Sequence, residues 1–278
     1  MSLRATEMKI STGNKEFDEF LSGGYEGEVI TTIYGPAGVG KSNLCMIAAV
    51  EQARKGKKVI FIDTEGGFSV DRLGQVGEES LMKNILVLKA TTFSEQRDVF
   101  NRLLEEMLEG KNNSRYYKNY KENSNLRKDV GLIIVDSIAM LYRLEIGNAR
   151  GEGDESKVNS INRNLAWQLK VLSEISRKKL IPIMVTNQVY SDFVKRSENN
   201  NFKRPENGSF QGNPGTEEKK VHMVGGDLLK YWSKCIIELK RDGEKRKAIL
   251  RKHRSLPEKD FNFYITMKGI SKSGFRLF

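Results

Sequence analysis

The residues with the clearest capacity for chemistry form one glycine-rich segment between an apolar run and a helical pattern. In chain order they are Gly35, Pro36, Ala37, Gly38, Val39, Gly40, Lys41 and Ser42. This order fits G-x-x-x-x-G-K-[ST], in which the glycines let backbone N–H groups turn inward around phosphate oxygens. The start of the following helix adds positive potential, and Lys41 is expected to reach the β- and γ-phosphates. The segment therefore predicts a nucleotide-binding site, with Asn43 among the residues that line it.

Two oxygen-bearing residues are the predicted ligands of Mg²⁺, namely Ser42 and Asp136. Asp136 ends the apolar run 131–136, and an aspartate in this position of a P-loop protein holds the metal, commonly through water. An apolar run that ends in aspartate is also a common strand end without function. The presence of the complete glycine-rich motif favours the metal-binding interpretation.

Two further apolar runs end in polar residues that could act on a phosphate. Glu65 follows the run 58–63 and could polarise an attacking water, although a solvated loop carboxylate is the alternative. Asn187 and Gln188 follow the run 181–186 and could contact a γ-phosphate. The spacing alone leaves an ordinary strand end with a turn-forming asparagine equally open.

The elements that must position these residues alternate between short apolar runs and helical patterns. Strands are predicted at 29–34, 58–63, 85–88, 132–136, 181–186, 235–239, 248–251 and 262–266. Helices are predicted at 43–54, 94–108 and 160–175. This alternation predicts an α/β fold with a mostly parallel central sheet flanked by helices. The last three strands follow one another without helices and predict an antiparallel C-terminal extension.

The chain of 278 residues is long enough for one large core, and we expect a single domain over residues 1–278. An exposed insertion is predicted at 110–129, and a long flexible loop at 189–224. The net charge is +11, and residues 240–278 hold 12 basic and four acidic residues. Localised positive charge suits a polyanion such as nucleic acid, with a solvated surface that aids solubility as the alternative.

Several classes of protein are disfavoured by the composition. No stretch approaches 18 consecutive apolar residues, so no membrane span is expected, and the first residues lack the apolar segment of a secretory signal. Two cysteines cannot form a disulfide framework, which favours a reducing, cytoplasmic location. Two histidines argue against a histidine-rich zinc site and against a Ser-His-Asp triad.

Taken together, the ordered motifs resemble the RecA superfamily, and within it the archaeal and eukaryotic recombinases. The matching segments are GPAGVGKS, FIDTEGGF with Arg72 after it, LIIVDSIAMLYR, ARGEG and VTNQV. The likeness extends from about residue 10 to residue 254, and it is strongest to a short archaeal paralogue of these recombinases. The resemblance implies a RecA-like P-loop core that binds ATP and Mg²⁺.

The resemblance also implies roles for individual residues. Glu65 would activate water, Gln188 would link the γ-phosphate to the second DNA-binding loop at 189–224, and Arg72 would lie over the adenine base. Arg150, within ARGEG, would match an arginine of the first DNA-binding loop, and Arg143, at the end of LIIVDSIAMLYR, would also contact DNA. The implied partner is single-stranded DNA, with the full-length archaeal recombinase and a Holliday-junction resolvase as further candidates, and no membrane.

The sequence departs from the recombinases in three places. It lacks room for their N-terminal helix-hairpin-helix domain, and its first ten residues hold no phenylalanine for the docking element that links neighbouring subunits, which puts filament formation in doubt. Lys252 stands where the recombinases place an aspartate in the ATP cap, and it could contact a neighbour's phosphates or be a surface charge.

We therefore expect an ATP-dependent single-stranded DNA-binding protein of homologous recombination and repair, with weak hydrolysis and an accessory role. The alternatives are a nucleotide-gated binding module without significant hydrolysis and a RecA-fold signalling ATPase that does not act on DNA. DNA-stimulated turnover distinguishes the first two.

Overall fold

The computed structural model describes residues 9–109, 129–191 and 221–273, and its centre is a ten-stranded sheet. A separate two-stranded ribbon joins β1 (Lys9–Ile10) to β2 (Tyr25–Glu26). The strands of the central sheet are β3 (Ile30–Gly35), β4 (Lys58–Asp63), β5 (Ile85–Lys89), β6 (Val130–Asp136), β7 (Ile183–Ser191), β8 (Val221–Met223), β9 (Ser233–Asp242), β10 (Lys245–Lys252), β11 (Lys259–Thr266) and β12 (Gly269–Ser271).

Seven α-helices connect or flank these strands within the described residues. They are α1 (Lys15–Phe20), α2 (Lys41–Arg54), α3 (Val70–Val76), α4 (Phe93–Leu104), α5 (Met140–Gly151), α6 (Glu155–Lys179) and α7 (Gly226–Trp232). A 3₁₀ helix covers Glu79–Asn84, and a π-helical turn extends α4 over Glu105–Glu109. All three predicted helices are present. The short helices α1, α3 and α7 and the 12-residue helix α5 were not predicted.

The strand order is β12-β11-β10-β9-β3-β7-β6-β4-β5, with β8 attached to the end of β7. Six adjacent strands, from β9 to β5, run parallel, and each neighbouring pair from β9 to β12 is antiparallel. The predicted parallel sheet with an antiparallel C-terminal extension is thus confirmed. Because β3, β4, β6 and β7 are parallel, their final residues all meet at one edge, which we call the carboxyl edge.

Both faces of the sheet are buried, which explains the nearly continuous apolar runs in its strands. On β4, Val59 and Phe61 pack into the core beneath α2, whereas Ile60 and Ile62 pack into the core beneath α4, α5 and α6. All four side chains are at most 4% exposed. This two-sided packing fixes the register that brings the strand ends together.

Two predicted segments lie largely outside the described residues. For the insertion predicted at 110–129, residues 110–128 are not among those described. For the loop predicted at 189–224, the same holds for residues 192–220. The ends of that loop are strands instead, because β7 continues to Ser191 and its last three residues pair antiparallel with β8. The predicted single-domain boundary stays a prediction. Among the helices described, none is both long and apolar enough to cross a membrane.

Candidate nucleotide and DNA site

The glycine-rich segment forms the turn from β3 into α2 at the carboxyl edge. Gly40 precedes α2 with φ of 107°, and a Cβ placed on it would lie 2.7 Å from the Ile265 side chain. A Cβ on Gly35 would lie 2.4 Å from the carbonyl oxygen of Leu239. Only glycine fits at either position. Since Gly40 has no side chain to cap α2, the first N–H groups of the helix stay available to an anion.

Lys41 lies inside this turn and is 7% exposed. Its Nζ donates hydrogen bonds to the carbonyl oxygens of Gly35 (3.1 Å) and Pro36 (2.9 Å). Burial lowers the pKa of Lys41, and the nearby carboxylates of Glu65 and Asp136 oppose that change. The turn therefore holds a buried ammonium group on carbonyl oxygens, with which phosphate oxygens can compete because they carry full charge.

The Asp136 carboxylate, whose charge acts on this ammonium, is 2% exposed. It accepts hydrogen bonds from the hydroxyls of Ser42 and Thr186. The pKa of Asp136 is raised, because burial disfavours the charged carboxylate. The hydrogen bonds from the two hydroxyls partly offset this rise. Sequence reasoning did not select Thr186, which precedes the amide pair on β7.

These oxygens fit Mg²⁺ bound together with phosphates. A hydroxyl and a carboxylate in contact are the hard oxygen donors that Mg²⁺ prefers, and Mg²⁺ usually takes one or two protein ligands with water and phosphate completing its shell. Within the described parts of the chain, no cluster of three or more metal-binding side chains occurs. The donor set therefore suits a metal that arrives with a nucleotide rather than an all-protein metal site.

The loop after β4 is held in place by Asp63, which sequence reasoning also missed. The Asp63 Oδ1 accepts from the backbone N–H groups of Glu65 (3.2 Å) and Gly67 (3.1 Å), and its Oδ2 accepts from Phe68 N–H (3.1 Å). Asp63 is 2% exposed. Its carboxylate thus fixes the backbone that carries Glu65 relative to β4.

Replacement of Asp63 by asparagine is expected to lower the free energy of unfolding by about 2 kcal/mol, because one carboxylate oxygen becomes an N–H group that opposes the Phe68 N–H. Urea unfolding followed by circular dichroism measures this change. The matched control is Asp98→Asn on the exposed face of α4, for which a change within about 0.5 kcal/mol is expected. Equal stability of the two variants would contradict the role assigned to Asp63.

A direct hydrogen bond links the ends of β4 and β7 across the mouth of the site. The Gln188 Nε2 lies 3.0 Å from Glu65 Oε1 and 3.1 Å from Glu65 Oε2. Glu65 is exposed and Gln188 is half-buried. The two residues that sequence analysis assigned to water activation and to γ-phosphate sensing are therefore in contact with each other.

The backbone around Gln188 is tied to the base of the β7–β8 ribbon. Asn187 is 1% exposed, its Nδ2 donates to the Val224 carbonyl oxygen (2.6 Å), and its Oδ1 accepts from Gln188 N–H (2.9 Å). The Val224 N–H in turn donates to the Gln188 carbonyl oxygen (3.3 Å). Gln188 thus stands where the sheet ends and the ribbon leading into residues 192–220 begins.

Asn43 and Arg72 lie together on the other side of the glycine-rich turn. Arg72 Nε donates to Asn43 Oδ1 (2.8 Å), and the remaining guanidinium nitrogens donate to the carbonyl oxygens of Thr266 (2.7 Å) and Met267 (2.9 Å). The chain between β11 and β12 therefore borders the region expected to receive the adenine. The stacking role of Arg72 stays a prediction.

Arg143 and Arg150 both lie on α5, which follows β6 at the carboxyl edge. Both residues are exposed and seven positions apart, so they share one face of the helix about 10 Å apart. The segment ARGEG that the sequence analysis assigned to a loop is helical as far as Gly151. The two arginines thus belong to a rigid element directly connected to the Asp136 strand.

A family model and several known proteins match almost the whole chain. A family model described as Rad51 matches residues 3–273. A protein named DNA repair and recombination protein RadB, from Methanobrevibacter smithii, is 35% identical over 268 residues, covering 94% of this chain and 95% of that protein. A protein of the same name from Methanothermobacter thermautotrophicus is 35% identical and covers 91% of this chain and 92% of that protein. Another, from Methanococcoides burtonii, is 33% identical and covers 96% of this chain and 100% of that protein.

A solved structure described as a RadB recombinase crystal structure superposes on this chain with a TM-score of 0.64 and 30% sequence identity. It covers 94% of this chain and 97% of the other. The RecA-like fold and the likeness to a short archaeal recombinase paralogue, both predicted from the sequence, are confirmed by these matches.

Proposed function

The chain belongs to the Rad51 family, and from this premise we propose that it is a nucleotide-gated DNA-binding protein of recombination and repair. One observation carries the proposal. Gln188, at the base of the ribbon that leads into residues 192–220, donates to both carboxylate oxygens of Glu65 beside the glycine-rich turn. A residue in this position can respond to a bound γ-phosphate and pass the response to the DNA-binding segment.

The nucleotide would be ATP, held by the backbone of residues 35–42 and by Lys41. Ser42 and Asp136 would hold Mg²⁺, which when bound neutralises charge on the phosphate oxygens. Because Asp136 already accepts from the Ser42 hydroxyl, both ligands are oriented toward the same point. Arg72 and Asn43 would form the base side of the site beside Thr266 and Met267.

The gating would work through competition for the Gln188 amide. With Gln188 bonded to Glu65, both carboxylate oxygens already accept a hydrogen bond, so a water that Glu65 is to activate must first displace the Gln188 amide. A γ-phosphate oxygen is a stronger acceptor for the same N–H group and would draw Gln188 away. Glu65 would then be free to activate water, and the β7–β8 ribbon would take its DNA-binding position.

This arrangement favours weak hydrolysis and an accessory role to a full-length recombinase. Each turnover requires that Glu65 first lose its hydrogen bonds to Gln188, so the base is restrained in the state that the structure presents. The relatives that share this chain's length are themselves named DNA repair and recombination proteins.

The proposal is tested by measuring ATP turnover and DNA affinity in parallel. We expect slow hydrolysis that single-stranded DNA increases, and single-stranded DNA binding that is tighter with ATP than with ADP. Failure to bind single-stranded DNA at low salt would overturn the proposal and favour a signalling ATPase. Tight ATP-sensitive DNA binding without any turnover would support the gate and contradict the proposed hydrolysis.

Replacement of Gln188 by alanine is expected to abolish the difference in DNA affinity between the ATP and ADP states, because the γ-phosphate loses its contact with the β7–β8 ribbon. Nucleotide affinity is expected to change less than about threefold. Fluorescence anisotropy of a labelled single strand measures the first quantity, and titration with a fluorescent nucleotide measures the second. Asn101→Ala, an exposed amide on α4, is the control. A persistent ATP effect in Gln188→Ala would refute the gate.

Replacement of Arg150 by alanine is expected to weaken single-stranded DNA binding by about threefold to tenfold at low salt and to leave ATP affinity without DNA unchanged. The loss of one phosphate contact reduces the slope of log affinity against log salt by roughly 0.7. Salt titrations of the wild type, of Arg150→Ala and of Arg97→Ala on α4 provide the comparison. Identical salt slopes in all three proteins would remove Arg150 from the DNA interface.

A further inference from the structure

Thr186 is a buried residue of β7 whose side chain contacts Asp136, one of the two residues expected to hold Mg²⁺. The residue is 0% exposed, and its hydroxyl donates to Asp136 Oδ1. The same carboxylate accepts from the Ser42 hydroxyl. It is therefore held by one hydroxyl from α2 and by a second from β7.

The alternation of side chains along the strands explains why Thr186 and Asp136 meet. Met184 on β7 and Ile134 on β6 are partners in the sheet register, and both pack into the core beneath α2. Two positions further along each strand, Thr186 and Asp136 face that same side. This is the side on which α2 begins with the glycine-rich turn and Ser42. A register shift of one residue would turn the hydroxyl to the other face of the sheet.

Two threonines hold the turn after β6, and they hold it in different ways. The Thr64 hydroxyl donates to the Ser137 carbonyl oxygen (2.7 Å) and accepts from the Ser137 N–H (2.9 Å). The Thr186 carbonyl oxygen accepts from the Ile138 N–H (3.1 Å), while its hydroxyl donates to Asp136. The Thr64 hydroxyl thus fixes the backbone of the turn, whereas Thr186 fixes both the backbone and the carboxylate.

The plane of the Asp136 carboxylate is set by its hydrogen bonds. Rotation about the bond between Cβ and Cγ of an aspartate has broad energy minima, so the backbone alone does not determine this plane. Ser42 is itself an expected ligand of Mg²⁺, and its hydroxyl oxygen would turn toward the metal. A donor that is not a metal ligand is therefore required to keep the carboxylate in one orientation. The Thr186 hydroxyl is such a donor.

We propose that Thr186 is a positioning residue that holds the Asp136 carboxylate in the orientation that Mg²⁺ requires. Its hydroxyl stays on Oδ1 when the metal is bound, and the remaining lone pairs of the carboxylate serve the metal. The inference rests on the proposed nucleotide site and adds a residue that acts through Asp136 without touching nucleotide or metal. The alternative is a purely structural role, in which the buried hydroxyl only satisfies its own need for an acceptor.

The variants Thr186→Val and Thr186→Ser distinguish the two roles. Valine keeps the size and the branched shape of threonine without the hydroxyl, and serine keeps the hydroxyl. Titration calorimetry gives the ATP affinity with Mg²⁺ and the ATP affinity in EDTA, and the ratio of the two measures the contribution of the metal. We expect Thr186→Val to lower this ratio about tenfold or more, the usual effect of removing a partner of a metal ligand. Thr186→Ser is expected to keep the ratio within about threefold of the wild type.

ATP affinity in EDTA is expected to change less than about threefold in both variants, because the glycine-rich turn and Lys41 are intact. A structural defect would instead weaken ATP binding with and without metal alike. Thr186→Ala provides a second protein without the hydroxyl, for which the same loss of the ratio is expected. Urea unfolding establishes that each variant is folded at the titration temperature.

Thr32→Val is the matched control, because it also removes a buried hydroxyl from the central sheet. Thr32 on β3 is 0% exposed, and its Oγ1 lies 2.6 Å from Ser233 Oγ. It pairs with Val185, so its side chain lies on the opposite face of the sheet from Thr186. We expect this variant to be less stable than the wild type and to keep the same ratio of ATP affinities.

Three results would overturn the inference. Equal ratios in Thr186→Val, Thr32→Val and the wild type would give the Thr186 hydroxyl a structural role and leave the proposed nucleotide site intact. An equal loss of the ratio in Thr186→Ser and Thr186→Val would show that packing matters and the hydroxyl does not. A ratio of one in the wild type would remove the metal site together with the inference, while ATP binding through Lys41 would stand.

Discussion

Replacement of Lys41 by alanine is expected to weaken ATP binding by about 100-fold or more. Hydrogen bonds to charged groups contribute about 1.5–3 kcal/mol each, and the Lys41 ammonium can exchange two carbonyl oxygens for phosphate oxygens. A loss of about 3 kcal/mol corresponds to roughly 100-fold in affinity. Titration calorimetry with ATP and Mg²⁺ measures the change directly.

The matched control for this variant is Lys55→Ala at the far end of the same helix, where the lysine forms a surface ion pair with Glu51 at 3.0 Å. An exposed ion pair of this kind contributes little to stability. Nucleotide affinity is therefore expected to stay within about twofold of the wild type, and the free energy of unfolding within about 1 kcal/mol. Tight ATP binding retained by Lys41→Ala would mean that the nucleotide binds elsewhere.

Replacement of Glu65 by glutamine is expected to reduce ATP turnover by at least about 100-fold, because a positioned general base contributes a factor of this order. Glutamine keeps the size of the side chain and can still bond to Gln188, but it cannot accept a proton from water. ATP affinity is therefore expected to remain within about threefold. Phosphate release with saturating single-stranded DNA is the measurement.

Glu79→Gln, on the exposed 3₁₀ helix that precedes β5, is the control for a lost surface carboxylate. Its turnover should equal that of the wild type. Undiminished hydrolysis in Glu65→Gln would show that another group activates water. Hydrolysis that is undetectable even in the wild type, together with ATP-sensitive DNA binding, would favour a gate without catalysis.

The sequence allowed prediction of the features that depend on neighbouring residues. The order of glycines, lysine and serine at 35–42, and the position of Asp136 at the end of its apolar run, could be recognised because each lies within one motif. The parallel sheet could be predicted from the alternation of apolar runs and helical patterns. The runs are apolar throughout because neighbouring side chains, such as Val59 and Ile60, pack on opposite faces of the sheet. These patterns are local, and tertiary packing did not override them.

What could not be predicted depends on residues far apart in the chain. Thr186 donates to Asp136 across 50 positions, and Arg72 donates to Thr266 across 194 positions. Asp63 lies at an ordinary strand end, and only the folded loop reveals its three backbone partners. Four cations that line one groove likewise come from four elements, namely Arg177 from α6, Lys230 from α7, Lys234 from β9 and Lys252 from β10.

The position of β3 in the middle of the sheet also has a consequence for how the protein is made. Residues 30–35 pair with 183–188 on one side and with 233–238 on the other, so both edges of the strand lack partners for most of translation. At about 5–20 residues per second, some 200 further residues take about 10–40 s to synthesise. Such a high contact order implies that the core closes only after residue 238 has emerged from the ribosome. Until then the nascent chain exposes an apolar strand edge, and its yield depends on protection from aggregation.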